Sequence, residues 1–300
     1  GDRAAVHGDE LAVDAGAPLR VALLTYRGNP YCGGQGVYTR HLARELVGLG
    51  HSVEVLAGQP YPHLDDDVAF TPVPGLDLFR ADDPWHIPRP WELRGPIDVL
   101  ETAIMASCGF PEPLTFSLRA ARILNRRRGD FDVVHDNQCL GSGLLRVRRH
   151  TPMVTTLHHP ITVDRDLHIA HALDYGASPW RRFTLRRWYG FLGMQMRVAR
   201  QLDHVITVSE SSRRDIVAQM GVPVDALSIV PVGVDHQRFR PLPHIERVPD
   251  RIMVTTSSDV PLKGLIPLLE AVAKVRTERP GAHLVVIGKP RDGSEVPVEI

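Results

Sequence analysis

One stretch near the start of the chain restricts the fold more than any other. Residues 21–25 are an apolar run, and residues 33–42 read Gly-Gly-Gln-Gly-Val-Tyr-Thr-Arg-His-Leu. A glycine-rich loop between a strand and a helix lets the backbone approach a ligand, because no Cβ intervenes. The helix start adds unpaired N–H groups and the positive end of a dipole, which together suit a phosphate or another anion. Residues 37–49 put Tyr38, Leu42, Leu46 and Leu49 on one helical face, with Gly50 as the stop. Residues 52–57 follow as a second strand. The competing reading of the loop is a tight turn whose glycines serve packing alone. A dinucleotide fingerprint fits less well. Gly36 is followed by Val37, Tyr38 and Thr39 rather than a third glycine in register, and Ala57-Gly58 stands where a ribose-binding acid would end the second strand.

The alternation continues along the chain. Residues 59–96 are rich in proline and aspartate and read as long loops with short elements. Residues 97–125 read as helical, broken near Gly109, Pro111 and Pro113. Short strands are expected at 132–135, 153–157, 204–208 and 227–230, and a basic, aromatic helical stretch at 179–200. A helix at 210–220 is expected to be capped by Ser209 and stopped by Gly221. Strands alternating with helices predict an α/β fold with a doubly wound parallel sheet, whose ligands bind outside the carboxyl ends of the strands. Residues 231–249 contain four prolines and no apolar period, and read as a linker. A strand at 252–256, a helical stripe of Leu265, Leu268, Leu269, Val272 and Val275, and a strand at 283–287 begin a second unit. That unit is too small to bury a core of its own, so the chain is expected to stop inside its second domain; the alternative is that the unit extends the first sheet.

Composition bounds the partners. The 300 residues carry a formal net charge of +0, which gives no whole-molecule attraction for nucleic acid. Cys32, Cys108 and Cys139 are widely spaced, with neither a metal spacing nor a disulfide framework, so no metal site is expected and a reducing, cytoplasmic compartment fits best. Residues 1–18 are polar, acidic and rich in alanine and glycine, and read as a loose tail without a signal-peptide pattern. No segment approaches the roughly 20 apolar residues of a membrane span.

Six segments, GGQGVYTRHLARELVGLGHSVEVL (33–56), DVVHDNQ (132–138), TLHHP (156–160), DHVITVSESSRRDI (203–216), IVPVGVDHQRFRP (229–241) and VPLKGLIPLLEAV (260–272), occur in an order that resembles the retaining GT-B glycosyltransferases, in particular the GT4 family. The resemblance implies two Rossmann-like domains facing across a cleft. Residues 19–232 would form the acceptor domain, 233–248 a hinge, and 249–300 the start of the nucleotide-sugar donor domain. It implies transfer of a sugar from a nucleotide-diphosphate sugar to an acceptor hydroxyl with retained configuration, and no further cofactor. The acceptor would be a carbohydrate, a lipid-linked group or a small molecule.

The resemblance also proposes site residues. Gly34 and Gly36 would lie near a diphosphate or an acceptor phosphate. His135 would end a buried strand at the cleft. Asn137 stands where many relatives carry a histidine close to the transferred sugar; it can hydrogen-bond a sugar hydroxyl but cannot titrate. His158, with His159, would line the acceptor site. Lys263, at a helix start beside Gly264, suits a leaving diphosphate, while Ser258 stands where the family usually has an arginine. For His135 and Asn137 the plainer reading is strand-end polar residues satisfied by water; for His158 and His159 the rival is metal binding, although adjacent histidines project in different directions and no ligand set is evident. Ser209 and Glu210 read as a cap, and Asp65-Asp66-Asp67 as a loop charge run. The cations and aromatics from Pro179 to Tyr189 are a candidate for peripheral contact with an anionic membrane, against the plainer reading of a solvated helix.

The implied mechanism needs no enzyme nucleophile. Stabilisation of the leaving group by Lys263 and helix N-termini carries the chemistry, and the leaving phosphate receives the acceptor proton. Domain closure excludes water. The 300-residue chain is expected to lack turnover by itself, because the family's base contacts and an acidic donor motif lie further along. Two other readings stand beside this one: a two-lobed, non-catalytic protein that closes on a small ligand, and an inactive transferase homologue.

Overall fold

The computed structural model describes residues 16–29, 34–80, 83, 86–174, 176–255 and 264–288. Its main body is a seven-stranded sheet built from β1 (Arg20–Thr25), β2 (Ser52–Ala57), β3 (Ala69–Pro72), β4 (Val133–Asn137), β5 (Met153–Thr156), β6 (Val205–Thr207) and β7 (Leu227–Ile229). The spatial order is β3-β2-β1-β4-β5-β6-β7, and each neighbouring pair is parallel. The order reverses between β1 and β4. The chain leaves β1 towards one edge of the sheet and leaves β4 towards the other, so a crevice opens at their carboxyl ends.

Helices cover both faces: α1 (Gln35–Gly48), α2 (Pro96–Ala106), α3 (Glu112–Arg126), α4 (Leu144–Val147), α5 (Ile161–Asp174), α6 (Pro179–Trp188), α7 (Leu192–Ala199) and α8 (Glu210–Asp215). The period-2 geometry of the central strand divides its side chains between two cores. Val21 and Leu23 pack with Val53, Val55 and Ala43 of α1. Ala22 and Leu24 join Leu56 and Val134 against Phe116, Ala120 and Leu124 of α3. Each fully buried leucine contributes roughly 1.5–3 kcal/mol relative to exposure.

The second unit is a parallel pair, β8 (Arg251–Thr255) and β9 (His283–Ile287), joined through α9 (Leu265–Glu278). Among the described residues it forms its own two-stranded sheet and does not extend the first. Of the expected stripe, Leu265 and Val272 are buried, while Val275 is 42% exposed. Residues 231–250 contain no helix or strand and are exposed throughout.

Local chemistry explains the boundaries. Ser209 accepts a hydrogen bond from the Ser212 amide at 3.1 Å and caps α8, and Gly221 takes a left-handed φ of 70° after the closing π turn at Ile216–Met220. Asp65 receives Arg40 at 2.7 Å and also Arg44, tying the loop after β2 to α1; both arginines hold its carboxyl well below the usual carboxylate range. Leu49, read as part of the apolar face of α1, is 66% exposed, because the helix has ended one residue earlier.

Candidate functional site

The crevice is lined by the turn after β1, the first turns of α1, and the tips of β4 and β5. Gly34 is the N-cap of α1 with a left-handed φ of 74°, and no side chain caps this helix end. Gly36 is explained by contact. A Cβ there would lie 2.2 Å from the Gly28 carbonyl oxygen and 2.5 Å from that of Asn29, so only glycine lets α1 start against the end of β1. The two glycines thus bring the start of α1, with its unpaired amides, to the strand tips.

Strand β4 runs two residues further than its apolar pattern, through Asp136 and Asn137. Both are buried, as is His135. Asp136 folds the chain back by accepting from the Leu140 amide at 2.9 Å and the Cys139 amide at 3.2 Å. The turn holds Gln138 at φ 54° and Leu140 at φ 50°. Burial raises the Asp136 carboxyl to about 7, against the pull of those two amides.

Asn137 shows how strictly the site is oriented. Its side-chain amide donates to the Gln35 carbonyl at 3.3 Å and to Thr39 Oγ1 at 3.0 Å. A backbone carbonyl only accepts, so Asn137 Nδ2 faces α1 and Oδ1 faces His158. His158 Nε2 lies 2.8 Å from that oxygen and must therefore carry the proton. The tautomer follows from the backbone of α1 through one amide. Nδ1 keeps a lone pair and makes no hydrogen bond among the described residues. Gln138 fixes the histidine loop as well, accepting from the His158 amide and donating to the His159 carbonyl, both at 2.8 Å.

A second set shares one hydroxyl. Thr156 Oγ1, at the tip of β5, lies 2.7 Å from His135 Nε2 and 3.2 Å from the Tyr38 hydroxyl. The Tyr38 ring meets the edge of His158 with centroids 4.6 Å apart. Burial, reinforced by His158, lowers His135 to about 4. Burial and then His159 lower His158 to about 4. Both imidazoles are uncharged at neutral pH, which makes this floor polar but electrically neutral.

The structure thus brings Gly34, Gly36, His135, Asn137 and His158 to one crevice. Lys263 and Ser258 lie outside the described residues. Asn137 is 0% exposed, and its side chain bonds Gln35, Thr39 and His158. His158 and Tyr38, both half-buried, are the members that reach the crevice. Tyr38 and Thr156 escaped the sequence reading. Tyr38 satisfies the helical stripe of α1, and Thr156 reads as one more strand residue, although it opens the TLHHP segment.

Glycosyltransferase Family 4 matches residues 32–238 of this chain. An "MMP alpha-(1->4)-mannosyltransferase" of Mycolicibacterium hassiacum is 54% identical over 263 residues, covering 87% of this chain and 62% of that protein. A "D-inositol 3-phosphate glycosyltransferase" of Segniliparus rotundus is 24% identical, covering 90% of this chain and 58% of that protein. The chain therefore spans about three fifths of the length of either relative. Among solved structures, an alpha,alpha-trehalose 6-phosphate synthase from Burkholderia multivorans aligns over 92% of this chain and 64% of its own, at 13% identity and a TM-score of 0.48.

Proposed function

The chain belongs to Glycosyltransferase Family 4, and on that premise we propose that it transfers a mannosyl group from a nucleotide-diphosphate sugar to an acceptor hydroxyl, with retention of anomeric configuration. The choice of mannose rests on the 54% identical relative, whose printed name is a mannosyltransferase. One observation in the structure carries the reading: an oriented, uncharged hydrogen-bonding floor at the topological switch point, beside a helix start that no side chain caps.

That arrangement suits sugar hydroxyls, which both donate and accept. His158 Nδ1 accepts from the acceptor hydroxyl, and Asn137 keeps the ring in the right tautomer. With its imidazole lowered to about 4, His158 orients the hydroxyl and does not remove its proton. The proton goes to the departing phosphate oxygen as the glycosidic bond forms. The amides of the α1 start, opened by Gly34 and Gly36, and Lys263 of the donor lobe offset the charge that grows on the diphosphate. Residues 233–248 act as the hinge that closes the lobes and limits hydrolysis.

The cationic α6 supports a peripheral contact with an anionic membrane. Trp180 and Phe183 stack on one another there and are 67% and 52% exposed among four arginines.

Calorimetry with GDP- and UDP-mannose and a transfer assay on the complete protein test the reading. Lys263→Ala should lower kcat about 10² to 10³-fold, with little change in unfolding midpoint. Binding of neither nucleotide sugar would favour the non-catalytic two-lobed protein. Equal losses of turnover and stability in Lys263→Ala would remove its assigned role.

A further inference from the structure

A polar cavity of about 460 Å3 opens away from the crevice just described, between the segments that follow β2 and β3 and the helices α2 and α3. Its walls alternate in charge. Asp77, Glu92 and Asp98 share the lining with Arg80, Arg94, Arg122 and Gln59, and Glu92 also pairs with His86. Arg119 at its floor is already neutralised, by Asp98 at 2.5 Å and by Glu101. Arg94 and Arg122 are exposed and pair with no carboxylate among the described residues. A neighbouring pocket of about 20 Å3, room for one hydroxyl-sized group, shares Gln59, Gly75, Asp77 and Arg119 with the cavity and has Glu112 in its lining.

Glu112 is 9% exposed, and its Oε2 forms an ion pair with Arg27 Nε at 3.4 Å but makes no hydrogen bond. Burial raises this carboxyl to about 8, so at neutral pH it is an acid able to donate as well as accept. A buried carboxyl oxygen that makes no hydrogen bond is uncommon in a folded protein and leaves capacity for a further polar group. Trp91, adjacent in sequence to Glu92 though not itself a wall of the cavity, is 72% exposed, with the Arg89 guanidinium over one face of its ring at 5.4 Å from the centroid. An exposed indole offers a flat face to the apolar side of a sugar ring.

Three carboxylates line these walls beside four arginines, so neither an anion nor a cation meets a surface of one opposite sign. A neutral polyhydroxylated ligand fits, since each hydroxyl finds a donor beside an acceptor. Position gives the second clue. In the order β3-β2-β1-β4-β5, the cavity lies over the ends of β2 and β3, two to four strand positions from the tips of β4 and β5. That is roughly 10–20 Å at the usual strand spacing, more than one sugar ring spans.

We propose that this cavity is a remote subsite for a carbohydrate chain, and that the acceptor is an oligosaccharide whose distal units rest there while its terminal unit reaches His158. The assignment of the terminal unit rests on the transferase reading above; the cavity's affinity for sugar does not.

The test measures binding without donor, on the full chain, of two probes: α-(1→4)-linked mannotetraose and methyl α-mannoside. The variants are Arg94→Ala/Arg122→Ala and Trp91→Ala, all at exposed positions, with circular dichroism as the check on folding. The tetraose Kd should weaken at least 10-fold in the double variant and several-fold in Trp91→Ala, while methyl α-mannoside binds both variants as it binds the parent. The proposal is overturned if the parent does not bind tetraose, if the variants leave tetraose affinity unchanged, or if they weaken both probes equally. It is overturned too if inorganic phosphate binds and the double variant abolishes that binding alone. Transfer assays run in parallel separate the two readings. Transfer to methyl α-mannoside without cavity-dependent tetraose binding fails this proposal and keeps the transferase; cavity-dependent binding without transfer to either probe does the reverse.

Discussion

At the tips of β4 and β5, His135 and His158 stay neutral because they are buried, and the same burial makes them sensors of acid. Each is lowered to about 4 from an ordinary value of 6.5, so the folded chain binds fewer protons there than the unfolded chain. Their stabilisation is complete above 6.5 and is lost as pH falls through 4. Asp136 and Glu112 act in the opposite sense. They are raised to about 7 and about 8, so their contribution is complete below the ordinary carboxylate range and is lost as pH rises through those values. From about pH 4 to 6.5 the two trends oppose one another, and above 6.5 only the carboxyls act. A comparison of variants therefore isolates a single group. Urea unfolding of His135→Gln and of the parent, each at pH 7 and pH 4.5, should show that the parent loses about 2 kcal/mol more on acidification than the variant. Equal losses would mean that His135 is not held neutral by the fold.

At the scale of elements, the turn that follows β4 is clamped from outside by α3. A Cβ at Gly141 would lie 2.2 Å from Ser117 Cβ and 2.4 Å from the Pro113 carbonyl oxygen. Gly141→Ala must push α3 away from the turn that Asp136 caps. It should lower the urea midpoint by an equivalent of about 1–3 kcal/mol with an unchanged m-value. A neutral result would show that helix and turn separate freely. Regular elements such as these were largely legible in the sequence. The apolar runs of β1 and β2 and the breaks at Gly109, Pro111 and Pro113 locate strands and helices because burial and backbone chemistry are local. α5 carries little sequence signal, since in ITVDRDLHIAHALD only Thr162 is buried and no wide apolar stripe forms. β4 was read short, because its last residues are polar yet remain in the ladder, where Asn137 pairs in register with Thr156. Of the crevice, His135 and His158 were legible as polar residues after apolar strands. The hydroxyls that join them were not, since Thr156 and Tyr38 lie 118 positions apart and meet only on folding. The cavity was illegible for the same reason: its walls come from four segments, each of which reads as ordinary loop or helix surface.

The whole molecule is two sheets joined by a segment that neither sheet holds. The seven-stranded sheet is complete at Ile229 and β8 begins at Arg251, with residues 231–250 exposed throughout. Within that segment the Asp235 side chain accepts from the Gln237 and Arg238 amides at 2.9 and 3.1 Å in a local turn, with its charge near His41 and Arg44 of α1. Such a segment opens locally without unfolding either sheet, and local opening governs proteolysis when reclosing is fast. Among the described residues, trypsin should therefore cut first after Arg238 or Arg247, both in this stretch. The fragment ending at Arg238 retains the complete larger sheet and should unfold as one cooperative transition. If these residues act as the hinge of a closing transferase, saturating GDP- or UDP-mannose should slow that cut several-fold in the complete protein, because closure removes the open form that the protease needs. First cuts inside residues 20–229 would show that the larger sheet is the weaker body. A cleavage rate indifferent to both nucleotide sugars, measured where calorimetry shows one of them bound, would mean that donor binding leaves the hinge as open as before, and closure would have to be withdrawn from the mechanism.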